Sequence, residues 1–286
     1  MNVILAETAG FCFGVERAIN LVHEQIDKAD GKRKIFTYGP IIHNAEVVRE
    51  LEEAGVFSVE GPEDFERIKG SVLIIRSHGV SRDIYEQAKA HEIEVIDATC
   101  PFVKKIHKIV DEESLNGKHI VIIGDRNHPE VAGIIGWAHG DVDVLLNEEE
   151  AERFTLQENK PICVVAQTTF NLMKFQYIVE IIEKKGYDIN VINTICNATQ
   201  ARQKEAESVS RAVDAMIVIG DPKSSNTQKL YDICKKYCKD TYYIQTVRDL
   251  ELANLQSGIS VGITAGASTP NNIIQEVFFN VRRKKL

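Results

Sequence analysis

The amino-acid sequence predicts an α/β protein made of three similar domains, each a small parallel sheet with helices, and two observations support this. Cys12, Cys100 and Cys196 lie 88 and 96 residues apart, and each stands between a short apolar run and a stretch with helical periodicity. Further apolar runs of strand length alternate with helical stretches along the chain, which is typical of parallel sheets covered on both faces. The chain therefore repeats one unit of roughly 95 residues three times.

The first repeat opens with a helix after Cys12, in which Val15, Ala18 and Ile19 recur at helical spacing. Three apolar runs of strand length follow, with helical stretches between them. The first and third end in polar loops and the second in an acidic turn: IFTYGPIIHN, VFSVEGPEDFERI and VLIIRSHGVS. A fourth run, EVIDATC, leads into Cys100 and the next repeat.

The second and third repeats show the same order of elements. Their runs are HIVIIGDRNHPE, VDVLLNEEEAERF and ICVVAQTTFN, then AMIVIGDPKSSN, TYYIQTVRDLELA and SVGITAGAST. The predicted domains are residues 13–99, 100–195 and 196–286. The third repeat ends in a helix with no strand after it, so we expect the strand within residues 1–12 to complete the third sheet. The three domains are then expected to form a ring with the three cysteine loops facing its centre.

Composition and charge exclude several classes of protein. The 286 residues carry a net charge of −8, which argues against general nucleic-acid binding. No apolar run approaches the length of a membrane span, and no secretory leader is visible. We therefore expect a cytoplasmic protein with no membrane partner. Six cysteines in that setting argue against a disulfide framework.

The three repeat-equivalent cysteines are candidate metal ligands. Each thiol is expected where a strand passes into a helix, and the positive end of the helix dipole favours the thiolate that binds metal. Structural zinc sites take four ligands and usually use CxxC pairs, which this chain lacks. Four cysteines normally hold a [4Fe–4S] cluster, and three would leave one iron open to a small molecule. Three unrelated buried cysteines are the alternative, and we assign structural roles to Cys163, Cys234 and Cys238.

The polar loops after the strands carry hydrogen-bond donors that suit a phosphate or diphosphate. Ligands of parallel sheets gather at the carboxyl ends of the strands, where these loops begin. The loops contain His43-Asn44, His78-Gly79, His128-Pro129-Glu130, Thr168-Thr169, Ser224-Ser225-Asn226 and Ala267-Ser268-Thr269. We expect glycines such as Gly79 and Gly266 to let backbone N–H groups approach the anion. Glu130 is the only carboxylate close behind one of these motifs, so it is the natural proton donor, with a plain surface glutamate as the alternative.

Eight segments of the chain together resemble the 4-hydroxy-3-methylbut-2-enyl diphosphate reductase family. They run in the family's order from Ala9 to Pro270: AGFCFGV, GPIIHN, IRSHGV, DATCP, HPEV, VAQTT, SSNT and TAGAS. The resemblance implies a three-lobed α/β protein around one [4Fe–4S] cluster with an open iron. It implies that Cys12, Cys100 and Cys196 are the three cysteine ligands.

The resemblance also implies roles for the loop residues. The residues implied to line a diphosphate pocket are His43, His78, His128, Ser224, Ser225, Asn226 and Ser268. Thr168 is placed beside the substrate hydroxyl, with Thr169 less clearly involved, and Glu130 delivers a proton. The implied reaction is reductive dehydration of the allylic diphosphate to isopentenyl and dimethylallyl diphosphate, the last step of the methylerythritol phosphate pathway. Because the chain has no Walker A motif and no strand-linked GxGxxG motif, electrons are expected from a separate carrier. The resemblance implies that this external carrier is a ferredoxin or flavodoxin.

One loop departs from the family pattern, and two other classes of protein stay open. The family loop before SSNT commonly reads Gly-Gly-x-Asn, whereas this chain has Gly220 followed by Asp221, Pro222 and Lys223. Asp221 would bring negative charge towards an anion site, and Lys223 could offset it. The runner-up enzyme is a three-cysteine dehydratase like quinolinate synthase, whose carboxylate substrate calls for arginines, here mainly Arg76. The non-enzyme alternative is an iron–sulfur sensor or electron carrier.

Overall fold

The computed structural model describes residues 2–29, 31, 33–156, 160–250 and 258–283. The expected α/β class is confirmed, because these residues form three four-stranded sheets in which all strand pairs are parallel. The strands are β1 (Asn2–Leu5), β2 (Ile35–Tyr38), β3 (Val56–Val59), β4 (Val72–Ile75), β5 (Glu94–Asp97), β6 (His119–Ile123), β7 (Val142–Leu145), β8 (Ile162–Ala166), β9 (Ile189–Val191), β10 (Ala215–Ile219), β11 (Asp240–Ile244) and β12 (Ser260–Ala265).

Helices separate most of the strands, as the hydrophobic periodicity predicts. They are α1 (Phe13–Ala29), α2 (Ala45–Glu53), α3 (Arg82–Ala90), α4 (Pro101–Leu115), α5 (Pro129–Ile135), α6 (Glu148–Arg153), α7 (Leu172–Lys184), α8 (Asn197–Ala212), α9 (Ser225–Tyr237) and α10 (Asn271–Arg283). Short 3₁₀ turns occupy Pro62–Asp64 and Val247–Asp249. A helix is predicted to begin near the end of TYYIQTVRDLELA, and the last three residues of that segment lie outside the described residues.

The three sheets have one strand order. They read β3-β2-β4-β5, β7-β6-β8-β9 and β11-β10-β12-β1. The N-terminal strand pairs with β12, with Val3 opposite Val261, as the phase of the repeat predicts. In each sheet the strand that leads to a repeat-equivalent cysteine is therefore an edge strand: β1, β5 or β9. Edge strands are only partly covered, and β1 has no fully buried residue, whereas all five residues of β10 are buried.

Each central strand is a continuous apolar run because helices cover both of its faces. In the second sheet, Val121 and Ile123 of β6 pack with Ile178 of α7 on one face. On the other face, Ile120 and Ile122 pack with apolar side chains of α4 and α5. The third sheet repeats this arrangement, with one core cluster against α10 and another against α8 and α9.

The chain divides into two compact units. The first comprises Met1–Val15, His43–Val47 and Asn197–Leu286, and the second comprises Glu16–Ile42 and Val48–Cys196. The division into domains at 13–99, 100–195 and 196–286 and their arrangement as a ring stay predictions. None of the helices in the described part of the chain is both long and apolar enough to cross a membrane.

The difference between edge and central strands predicts the cost of a matched pair of substitutions. Ile217 in β10 is fully buried, whereas Ile4 in β1 is only half-buried. Ile217→Ala should lower the free energy of unfolding by about 2–5 kcal/mol, because it leaves a cavity in close-packed surroundings. Ile4→Ala should cost less than half as much, since the edge strand can relax. Urea unfolding of both variants measures this, and equal costs would contradict the assignment of β1 as a loosely covered edge.

Candidate functional site

Each repeat-equivalent cysteine stands directly before a helix and is held by the same backbone hydrogen bond. The N–H of Cys12 donates to the carbonyl of Ala267 at 3.4 Å, that of Cys100 to Ser77 at 3.0 Å, and that of Cys196 to Thr168 at 3.1 Å. In every case the acceptor lies in the loop after the strand that neighbours the edge strand, namely β12, β4 or β8. The three cysteines are half-buried, and none forms a disulfide. Each therefore lies at the amino end of α1, α4 or α8, where the helix dipole favours a thiolate.

Glu130 and Thr168 form a buried polar contact between two of these loops. Glu130 is 2% exposed and lies in the first turn of α5, and Thr168 follows β8. The Thr168 N–H and hydroxyl each donate to one oxygen of the Glu130 carboxyl, both at 2.6 Å. Burial raises the pKa of Glu130 to about 7, and the hydrogen bonds from Thr168 oppose that rise. The carboxyl can therefore hold or release a proton near neutral pH, as a general acid requires.

Two histidines adjoin this contact in the second unit. His128 is the N-cap of α5, and its Nδ1 accepts the Glu130 N–H at 3.1 Å. A neutral His128 therefore carries its proton on Nε2, which makes that atom a donor. Its ring lies edge-on to the ring of His78, with centroids 5.3 Å apart. Ser77, the residue before His78, accepts the N–H of Cys100, and Thr168, which bonds to Glu130, accepts the N–H of Cys196. The predicted site residues of the second unit are therefore linked by these bonds and by the contact between the two histidine rings.

The first unit joins its predicted residues in the same way. Ser268 follows Ala267, the acceptor of the Cys12 N–H, and its hydroxyl donates to the carbonyl of His43 at 2.9 Å. The same hydroxyl lies 3.4 Å from that of Ser224, the N-cap of α9. Ser225 begins α9 and is half-buried.

Asn226 has a buried donor that is free of hydrogen bonds. The residue is 5% exposed, and its Nδ2 has no hydrogen-bond partner among the described residues. A buried polar group without a partner costs free energy, so native structures seldom leave one unsatisfied. A donor of this kind at the amino end of a helix is suited to an anion.

The two glycines do not have the function expected from the sequence. The N–H of Gly79 donates to Arg76, and the N–H of Gly266 donates to Ile219, so neither is available to a ligand. A Cβ on Gly79 would lie 2.6 Å from His107, and one on Gly266 would overlap the Thr227 hydroxyl. Both positions are therefore glycine because a helix packs directly against the loop.

In the unusual loop before α9, the carboxylate of Asp221 bonds to the backbone of its own turn. The Asp221 carboxylate accepts the backbone N–H of Lys223 at 2.8 Å, and the Asp221 carbonyl accepts from Ser224 and from the Tyr243 hydroxyl. Asp221 is nearly buried and Lys223 is exposed. The carboxylate thus closes the turn that positions Ser224. It does so through the backbone N–H of Lys223 and does not require the Lys223 side chain.

The remaining cysteines are placed as the sequence predicts, inside the cores. Cys163 lies in β8 and Cys234 in α9, and both are fully buried. Burial raises the pKa of each thiol to about 11, which keeps them protonated. Cys238 is also buried. Sequence reasoning missed Ser77 and Ala267, because their contribution is a backbone carbonyl that no side-chain pattern reveals.

A parallel α/β fold with a buried, protonatable carboxyl and hydrogen-bond donors at the strand ends indicates an enzyme acting on a small anionic ligand. The chain belongs to the LytB protein family, whose family model matches residues 3–282.

Named relatives cover essentially the whole chain. The 4-hydroxy-3-methylbut-2-enyl diphosphate reductase of Caldanaerobacter subterraneus subsp. tengcongensis is 46% identical over 285 residues, 100% of this chain and 98% of the relative. The protein of the same name from Clostridioides difficile is 42% identical over 277 residues, 97% of this chain and 98% of the relative.

Two solved structures are similar. That of the E-1-hydroxy-2-methyl-but-2-enyl-4-diphosphate reductase from Plasmodium falciparum has a TM-score of 0.91 at 32% identity, covering 98% of this chain and 87% of that one. A structure of (E)-4-hydroxy-3-methyl-but-2-enyl diphosphate reductase, described as the terminal enzyme of the non-mevalonate pathway, has a TM-score of 0.70 at 40% identity, covering 99% of both chains.

The raised pKa of Glu130 predicts a pH dependence of stability. Because the folded-state value of about 7 lies above the ordinary 4.5, the stability that this group contributes is complete below pH 4.5 and is lost as pH rises through 7. Glu130→Gln can keep both contacts to Thr168 without ionising. From pH 5 to pH 8, the unfolding free energy of the variant should rise relative to that of the wild type by up to about 3 kcal/mol.

Urea unfolding of the metal-free chain at both pH values measures this gain. The exposed Glu149→Gln variant is the control and should show no comparable trend. A Glu130→Gln variant that follows the wild type at both pH values would show that the carboxyl ionises normally.

Proposed function

We propose that this chain catalyses reductive dehydration of 4-hydroxy-3-methylbut-2-enyl diphosphate to isopentenyl and dimethylallyl diphosphate. Membership of the LytB family and the activity named for its relatives support the reaction. The observation that carries the proposal is the buried Glu130 carboxyl, hydrogen-bonded to Thr168, whose own carbonyl holds Cys196. This contact joins a proton source to a candidate metal ligand through a single residue.

The reaction needs two electrons and two protons. One proton leaves with the allylic hydroxyl as water, and the other is added to carbon. In this proposal Thr168 binds the substrate hydroxyl and Glu130 supplies the proton that leaves with it. The Thr168 hydroxyl oxygen lies 2.6 Å from a Glu130 carboxyl oxygen. When Glu130 is protonated, its carboxyl can donate to this threonine oxygen while the threonine hydroxyl donates its own proton to the substrate. A pKa of about 7 lets Glu130 be reprotonated from solvent between turnovers.

Cys12, Cys100 and Cys196 are proposed to ligate a single [4Fe–4S] cluster with an open iron. The donor set fits, because all three cysteines stand at helix starts and none is in a disulfide, whereas the other cysteines are buried in cores. When bound, such a cluster would supply electrons and a Lewis-acidic iron. An external carrier of the ferredoxin or flavodoxin type is proposed as the electron source.

The diphosphate is proposed to bind to His43, His78, His128, Ser224, Ser225, Asn226 and Ser268. The free Nδ2 of Asn226 and the Nε2 donor of His128 support this assignment. These donors are mostly neutral, which suits a chain of net charge −8 that holds its anion through aligned dipoles and hydrogen bonds.

The cluster proposal makes a clear prediction about the six cysteines. Cys12→Ser, Cys100→Ser and Cys196→Ser should each remove most of the iron and sulfide and abolish activity, because the proposed cluster has only these three protein ligands. Cys163→Ser, Cys234→Ser and Cys238→Ser test the opposite expectation and should retain both. Anaerobic purification with iron and sulfide analysis measures this. Zinc in place of iron in the wild-type chain would contradict it.

Glu130→Gln tests the proton donor. The variant keeps the size and hydrogen bonding of the side chain but loses the titratable proton, so turnover should fall about 10²–10⁴-fold. Iron content and substrate binding should stay near those of the wild type. Pre-steady-state kinetics with the cluster fully reduced beforehand isolates the chemical step. A variant that turns over at the wild-type rate would shift the role to a water held by Thr168.

A further inference from the structure

Arg17 lies five residues after Cys12 and holds the backbone in front of Cys100. Its Nη1 donates to the carbonyl of Thr99 and its Nη2 to that of Asp97, both at 3.2 Å. Asp97 is the last residue of the edge strand β5, and Thr99 directly precedes Cys100. Arg17, Asp97, Thr99 and Cys100 all belong to the second unit.

Arg202 repeats this contact in the first unit. It lies six residues after Cys196, is 5% exposed, and its Nη2 donates to the carbonyl of Gly10, two residues before Cys12. On the same helix, Glu205 accepts the N–H groups of Glu7 and Thr8, at 2.7 and 2.9 Å. Thus two of the three cysteine loops are held by an arginine on a helix that begins at a different cysteine.

Arginine is suited to this position for two reasons. Its planar guanidinium can bond two carbonyls at once, and it stays protonated at any accessible pH. The loops it holds follow edge strands, whose backbone has a pairing partner on one side only, so they need support from elsewhere. Each guanidinium bonds to backbone within two residues of a cysteine, so it also places fixed positive charge near that loop, which favours extra negative charge there.

We infer that Arg17 and Arg202 are positioning residues, which hold the loops of Cys100 and Cys12 in the metal-binding conformation and add fixed positive charge beside the cluster. This inference rests on the proposed function, since it assumes that these cysteines ligate a cluster. Outer partners of metal ligands typically change metal affinity about 10–100-fold when they are removed. The two roles, position and charge, are separable by substitution.

Arg17→Met removes both charge and fork, whereas Arg17→Lys keeps the charge and loses the two-pronged contact. Arg211→Met is the matched control, because Arg211 is an exposed helical arginine whose side chain contacts Glu207 and Tyr237 at the surface. Each variant is reconstituted anaerobically, and three quantities are measured. They are iron and sulfide per chain, the rate of cluster loss to a chelator, and the midpoint potential from a spectroelectrochemical titration.

Arg17→Met should lose its cluster about 10–100-fold faster than the wild type and have a more negative midpoint potential. Arg17→Lys should restore the potential but not the slow rate of loss. Arg211→Met should match the wild type in both. Arg202→Met should also lose its cluster faster than the wild type, because it removes the bond from the guanidinium to Gly10 in front of Cys12.

The outcomes separate this inference from the proposed function. A wild-type chain that binds no iron or sulfide overturns both. A wild-type cluster that Arg17→Met and Arg17→Lys retain as firmly as Arg211→Met, at an unchanged potential, overturns the positioning role alone. Urea unfolding of the metal-free variants identifies a folding defect. If Arg17→Met is unfolded, the rate of cluster loss from folded Arg17→Lys decides the question.

Discussion

One backbone hydrogen bond, made three times, ties this molecule's proposed metal ligands to its proposed substrate loops. The N–H of each repeat-equivalent cysteine donates to a carbonyl in the loop after the neighbouring strand of its own sheet. Such a bond adds only about 1 kcal/mol to stability. Its importance is positional, because a parallel sheet aligns the ends of adjacent strands and the bond then holds the backbone of each cysteine against the loop that contains Thr168, His78 or Ser268.

The electrostatic arrangement follows from burial. A chain with a net charge of −8 repels an anion at long range, so a binding site needs donors without added acids nearby. The structure meets part of this need by burying one carboxyl among these loops and by engaging another in a local hydrogen bond. Glu130 is driven towards its neutral form by burial, and Asp221 is occupied by the N–H of Lys223. Asn226 and His128 meanwhile keep donor atoms at the amino ends of α9 and α5.

Edge strands explain why the cysteine loops need additional contacts. A central strand such as β10 is fixed by two neighbours and two covered faces, whereas β1, β5 and β9 each have a single neighbour. The loops that follow β1 and β5 receive side-chain donors from Arg202 and Arg17. Stability is thus concentrated at the sheet centres, and the loops after β1 and β5 depend on contacts made by helices from elsewhere in the chain.

Local sequence alone determined the repeat, the alternation of strands and helices, the placement of each cysteine before a helix, and the pairing of the N-terminal strand with the third sheet. Hydrophobic periodicity carries the pattern of strands and helices because it depends on residues near in sequence. The phase of the repeat carries the pairing of the N-terminal strand because it compares equivalent elements along the whole chain. Only the tertiary structure decided that the cysteine strands are edges, and that Gly79 and Gly266 make room for His107 and Thr227. It also decided that Thr168 bonds to Glu130, 38 residues away, and that Arg17 reaches Thr99, 82 residues away. Such contacts depend on how whole elements pack, and no pattern within a single segment specifies them.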